Sequence, residues 1–401
     1  MAERRLRVGV AGLGRAFTLM LPTLASDRRV ELIAAADPRS EATSAFASQF
    51  GARTYVTFEA LCADPEVELV YIATPHQYHA EHAVLAAAHG KHVLVEKPMA
   101  ISLDECRVMI EAAERARVVL VVGHSHGFDR PIQRTREIIE SGTVGAVRMI
   151  NAQYYTDFLY RPRRPEELRT DMGGGVVFSQ AAHQVDIARI LGGGLVERVR
   201  SLTGAWDTRR PTEGAYAALL TFAQGAFASL VYSGYAHFDG DELCGGVSEL
   251  GTQKAIGDAG AYATARRRLE RVATSAEEAA LKAARNYGGA EHGRRKTDHA
   301  TPPWHEHFGF VVVSCDHADL RPLPDGVMIY GDTEARLEPL PKPTIPRVEV
   351  IDEIYGAVVE GKAPRHDARW AMATLEVCLA ILASAKAHRD VAPEHQIAWP
   401  P

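Results

Sequence analysis

The stretch from Arg7 to Phe17, RVGVAGLGRAF, decides the fold. A short apolar run of strand character turns on glycines and runs straight into a helical stretch, TLMLPTLAS. That is how a dinucleotide-binding βαβ unit opens. Gly12 permits the tight turn, and Gly14 lets backbone N–H groups of the Arg15–Ala16 turn approach a pyrophosphate at the positive end of the helix. Phe17 stands where the fingerprint has a third glycine or alanine, a departure at the position that normally allows close helix–strand packing. Asp37 closes the second apolar run, VELIAAAD, about twenty residues on, where a carboxylate accepts hydrogen bonds from an adenosine ribose and repels a 2′-phosphate. This favours NAD; Arg39, two residues later, can pair with a phosphate and keeps NADP open. The bland readings are a glycine turn that only turns and an aspartate that only caps a helix. Strand, turn, helix and acid in one order outweigh them.

Outward from this stretch the alternation continues, with ELVYIATP, HVLVEKP and VVLVVGH as further strands, RTYV as an edge, and helices between them. Such alternation implies a parallel sheet covered on both faces. Ser102 is a candidate N-cap, with Glu105 three residues on. Beyond residue 125 the period becomes two. VRMINAQYYTDF and the hairpin YAALLTFAQGAFASLVYSGYA, turning at Gln224-Gly225, read as antiparallel sheet. The expectation is α/β throughout: a doubly wound Rossmann domain over 1–125, then an α/β domain with a large, mostly antiparallel open sheet over 126–401. That second domain carries a polar helical insertion at about 258–303 and C-terminal helices at about 346–388.

With 401 residues, 46% of them hydrophobic, the chain has apolar material for two cores. A net charge of −6 and a pI near 6.3 provide no basic field for nucleic acid. The N-terminal apolar segment is too short for a signal core or a membrane span, so a cytoplasmic protein without a membrane partner is expected. Five scattered cysteines with no C-x-x-C pair indicate neither a disulfide frame nor a thiolate metal site.

Two strands of the parallel sheet end in chemistry. Thr74-Pro75 follows one and Glu96-Lys97-Pro98 the next, both at the carboxyl edge where such sheets bind ligands. Lys97, partly desolvated near a nicotinamide ring, suits proton exchange with a substrate hydroxyl. Isolated, an E-K pair is more often a surface ion pair. Further on, Gly173-Gly174-Gly175 leads into VVFSQAAHQVD, which puts Ser179, His183 and Asp186 four and three residues apart on one predicted helix face. His183 can move a proton at neutral pH, its bland reading being a packed core histidine. Asp186 either orients that imidazole or caps backbone.

VEKPMA after a glycine fingerprint, ATPHQYHAEHA and GGGVVFSQAAHQVD together resemble the glucose–fructose oxidoreductase and inositol dehydrogenase (Gfo/Idh/MocA) family, over nearly the whole chain. The resemblance implies a nicotinamide-dependent dehydrogenase, with Lys97 near the reacting carbinol. It also implies that Glu96, Thr74, Pro75 and His79 line the cofactor, and that a homo-oligomer, dimer or tetramer, forms through the second sheet. Where the family has an aspartate this chain has Ser179, which argues against a polyol. YYTDFLYRPRRPEELRTD brings Arg161, Arg163, Arg164 and Arg169 ahead of the glycine run, able to clamp carboxylates or equally to pair with Glu166 and Glu167. This segment is similar to phthalate 4,5-cis-dihydrodiol dehydrogenases, which implies a carboxylated aromatic cis-dihydrodiol as the small-molecule substrate. A sugar or inositol dehydrogenase is the alternative within the family, and a non-catalytic dinucleotide-sensing regulator the alternative outside it. His124 and His126 are candidate substrate contacts. His305 and His307 are weighed as metal ligands and set aside for lack of an accompanying carboxylate–histidine pair, so no metal is expected.

Overall fold

The computed structural model describes residues 4–123, 125–254, 260–292 and 301–400. His124 and positions 258–259 and 293–300 of the expected insertion lie outside these. The chain divides into two compact units. The first takes Met1–His124, Ala279–Thr301 and Ile345–Met372, and the second Ser125–Glu278, Pro302–Thr344 and Ala373–Pro401. The first unit therefore draws in two late stretches that the sequence reading placed in the second domain. Side chains explain it: Tyr287 buries its ring against Phe17 and Phe46, while Tyr355 donates to Arg4 O and Thr23 to Pro346 O.

Six strands build the first sheet: β1 (Leu6–Ala11), β2 (Val30–Ala36), β3 (Arg53–Tyr55), β4 (Leu69–Ile72), β5 (His92–Val95) and β6 (Leu120–Val122). They pair parallel in the order β3-β2-β1-β4-β5-β6. This is the doubly wound order, whose connections diverge between β1 and β4 and leave a crevice at their carboxyl ends. Helices α1 (Arg15–Ser26), α2 (Ser40–Phe50), α3 (Phe58–Cys62), α4 (His79–Ala88) and α5 (Leu103–Ala116) connect the strands. The Ser102 hydroxyl accepts from Glu105 N–H and the Glu105 carboxylate from Ile101 N–H, the reciprocal cap its sequence predicts.

The second unit opens with α6 (Arg130–Glu140) and β7 (Val147–Tyr155). A π-helical turn at Val177–Ala181 leads into α7 (Ala182–Leu191), buried along its whole length. Then come β8 (Val196–Gly204), β9 (Ala215–Phe222), β10 (Phe227–Ser233), α8 (Gly260–Glu270) and α9 (Ser275–Ala284). They are followed by β11 (Phe310–Cys315), β12 (Ala318–Leu323), β13 (Gly326–Gly331) and β14 (Ala335–Pro339), while α10 (Val348–Val359) and most of α9 belong to the first unit and most of α11 (Ala368–Ala387) to the second. Eight strands pair as β14-β13-β12-β11-β7-β10-β9-β8, antiparallel except β7 with β10. The β9–β10 hairpin turns at Gly225, φ 88°. Its alternation sends Leu220 and Leu230 inward and leaves Leu219 and Phe227 exposed. Helix α11 is long and apolar enough to cross a membrane, but 72% of its apolar window is buried inside the fold, as befits a core helix.

Candidate active site

The nucleotide end is built where β1 meets β4. Gly12 sits at φ +88°, and a Cβ there would lie 2.8 Å from Ala73 O, so only glycine lets the turn pass so close to the end of β4. A Cβ on Gly14 would meet open space, and no side chain caps α1, which starts at Arg15 and Ala16. Phe17 replaces the fingerprint's small residue without harm, because its buried ring points to Phe46 (5.8 Å) and Tyr287 (5.2 Å). Asp37 is buried at the end of β2 and accepts from Leu13 N–H at 2.7 Å and from Arg39 Nε at 3.0 Å. A close-approach glycine, an uncapped helix start and an acid at the second strand fit a dinucleotide.

The turns after β4 and β5 are tied together. His79 has no exposure, its Nδ1 lying 2.9 Å from Pro98 O and its Nε2 2.9 Å from Thr74 O. Burial pushes its pKa down, and the neutral ring donates to one of the two carbonyls. Expected to line the cofactor, it is instead shut away and positions both turns. Thr74 Oγ1 bonds His82 Nδ1 at 3.0 Å, and burial pushes His82 down to about 4. Pro75 begins the short turn that leads into α4. Glu96 is also buried and accepts from Tyr71 Oη at 2.6 Å. The E-K-P motif is therefore no surface ion pair: Glu96 turns into the fold, and half-buried Lys97 stands at the strand's carboxyl end. Tyr71, far from Glu96 in the chain, carries no sequence signal for this role.

In the second unit His183, on the first turn of α7, is buried. Its Nδ1 accepts the His126 backbone N–H at 3.2 Å, which leaves the proton of the neutral ring on Nε2. Asp186 accepts from Ser125 Oγ and from Thr374 Oγ1, and a Cβ on Gly127 would strike it at 2.1 Å. It anchors the 125–127 turn whose His126 N–H bonds His183. Ser179 falls in the π-helical turn, not in the α-helix expected to carry all three residues; such turns recur at functional sites.

His126 Nδ1 donates to Asp129 at 2.6 Å, and its Nε2 lies 3.5 Å from Glu249. Burial lowers its pKa, but the two carboxylates outweigh burial and hold it up to about 9. Among the described residues, His126, Asp129 and Glu306 bring their ligand atoms within 4.8 Å of one another, a grouping the sequence hides. His305 and His307 go elsewhere, to Pro341 O and Val247 O. The arginine loop separates its members. Arg164 pairs with Glu166 and Glu167, and Arg169 pairs with Asp171 on the surface. Arg163 lays its guanidinium 3.6 Å over the Phe158 ring and donates to Phe158 O. Arg161 bonds Asp157 at 2.9 Å yet stays 40% exposed, although Glu249 and Tyr232 also act on its charge. Neither Glu249 nor Tyr232 carries a sequence signal for this role, since both lie more than seventy residues from Arg161 in the chain.

Residues 6–124 match the oxidoreductase family with NAD-binding Rossmann fold, and residues 132–244 the GFO/IDH/MocA C-terminal domain. The chain is 34% identical over 178 residues, 43% of its length and 52% of the relative's, to trans-1,2-dihydrobenzene-1,2-diol dehydrogenase of Mus musculus. The crystal structure of a protein from Bordetella bronchiseptica RB50 superposes with a TM-score of 0.89 at 41% identity, covering 97% of this chain and 100% of that one. The 1-carboxy-3-chloro-3,4-dihydroxycyclohexa-1,5-diene dehydrogenase of Comamonas testosteroni is 47% identical over 385 residues, 95% of both chains. With that identity along nearly its full length and both domain matches, the chain belongs to the GFO/IDH/MocA family and is an NAD-dependent dehydrogenase.

Proposed function

We propose that the enzyme oxidises a carboxylated cyclohexadiene cis-diol to the corresponding catechol, phthalate 4,5-cis-dihydrodiol being the dicarboxylate to test first. The observation that carries this reading is Arg161, a guanidinium left 40% exposed beside the buried Asp157 and Phe158, suited to a bidentate grip on a ring carboxylate. The carboxylated dihydrodiol named for the Comamonas relative supports it. When bound, the nicotinamide supplies an acceptor for the carbinol hydride. Lys97 or His183 takes the hydroxyl proton as the carbon–oxygen double bond forms. Enolisation of the ketone then gives the aromatic diol. Tyr71 and His79 hold the Lys97 turn in place through Glu96 and Pro98.

Ser179 in place of a family aspartate speaks against a sugar or inositol. The same reading makes the protein a homo-oligomer through the open face of the second sheet, where Leu202, Leu219 and Phe227 are exposed. NAD reduction is to be measured with dihydrodiols bearing none, one or two ring carboxylates, beside inositols and aldoses. The carboxylated diols are expected to lead in kcat/KM. Equal activity on uncarboxylated diols removes the arginine's role, and activity confined to sugars removes the reading.

A further inference from the structure

We infer that the end of the helical insertion, around Tyr287, sets cofactor choice by bracing Arg39 so that it cannot receive a 2′-phosphate. Arginine beside the second strand is an ambiguous residue: facing outward it pairs with the phosphate of NADP, held inward it does not. Here it is held inward by four hydrogen bonds. Nε donates to Asp37 Oδ1 at 3.0 Å, and Nη2 donates to Asp37 Oδ2 at 3.0 Å and to Leu13 O at 2.8 Å. Nη1 donates to Tyr287 O at 3.4 Å. A guanidinium has five N–H donors in a rigid fork, so this arrangement leaves no edge for a bidentate phosphate.

Three of these bonds come from the Rossmann turn itself, and the fourth comes from a segment more than two hundred residues away in the sequence. That segment is fixed firmly. The Tyr287 ring is buried among Phe17, Phe46 and His292, and its hydroxyl donates to Gln49 at 2.6 Å. Gly288 follows at φ +73°, with no room for a Cβ, which would sit 2.7 Å from the Ala42 Cα. The Tyr287 carbonyl thus closes the Nη1 edge that the nucleotide turn leaves open. The large Phe17 in the fingerprint belongs to the same device, since it gives Tyr287 a ring to pack on.

The test uses the full chain and calorimetric binding of ADP-ribose and 2′-phospho-ADP-ribose, which needs no turnover. Wild type is expected to prefer ADP-ribose. In Tyr287→Ala that preference should narrow about tenfold or more through gained affinity for the 2′-phosphate, and adding Arg39→Ala should abolish the gain. Gly288→Ala, which displaces the same carbonyl while keeping the buried ring, should narrow the preference in the same direction and serves where Tyr287→Ala does not fold. An unchanged ratio in the folded variants, even with both affinities weakened, overturns the proposal. Failure of wild type to bind either nucleotide would instead strike the NAD assignment on which it rests.

Discussion

Lys97 is the residue on which the proposed catalysis turns, and its turn is held by buried neighbours. Replacing it with Met removes the proton acceptor while keeping the length of the side chain, so kcat should fall about 10²–10⁴-fold with calorimetric NAD binding retained. A change below about threefold returns Glu96-Lys97 to a structural role. Tyr71→Phe leaves the buried Glu96 carboxylate without its 2.6 Å donor and should cost about 1.5–3 kcal/mol, read from urea unfolding. His126 gives a pH signature. Its pKa rises from 6.5 to about 9 on folding, so the folded state binds more protons than the unfolded one between those values. The stabilisation is complete below pH 6.5 and lost as pH climbs through 9. Melting temperature should therefore decline over that window, and His126→Asn should flatten the decline. An identical slope in the variant would falsify the assignment of the proton to His126.

At the level of elements, the arginine loop and the helix that follows it show how far spacing can be trusted. The loop's four arginines look alike in sequence, but Glu166, Glu167 and Asp171 take two of them and an aromatic ring takes a third. Arg161→Ala should raise KM for a carboxylated diol about tenfold or more with little change for an uncarboxylated one, as loss of a charge-assisted bond predicts. Arg164→Ala, on the rim, should leave both alike. The four-then-three spacing of Ser179, His183 and Asp186 was legible, but the π-helical turn that detaches Ser179 was not. Such a turn is set by how the glycine run is pinned: the buried Glu213 carboxylate accepts from Thr170 and from Val177 N–H across the chain. The β9–β10 turn and the Ser102 cap were readable because each is a bond pattern completed within a few residues, and the glycine fingerprint and Asp37 because their order along one βαβ unit is itself the signal.

On the scale of the whole molecule, an eight-stranded sheet leaves Leu202, Leu219 and Phe227 on β8, β9 and β10 facing water, the face proposed to pair with a second copy of the chain. Leu219→Glu combined with Phe227→Glu should lower the molar mass seen by light scattering to that of one chain, 43.7 kDa. A wild type already at that mass defeats the oligomer. By itself the sequence determined the two kinds of sheet, the nucleotide turn and the lysine at its edge, because periodicity, glycine conformation and strand ends are local properties of the backbone. Only the tertiary structure decided what each side chain faces. It turned Glu96 onto Tyr71, sealed His79 between two carbonyls, gave His126 two carboxylates and brought Tyr287 to Arg39. Those outcomes depend on burial and on partners distant in the chain, and no spacing rule records them.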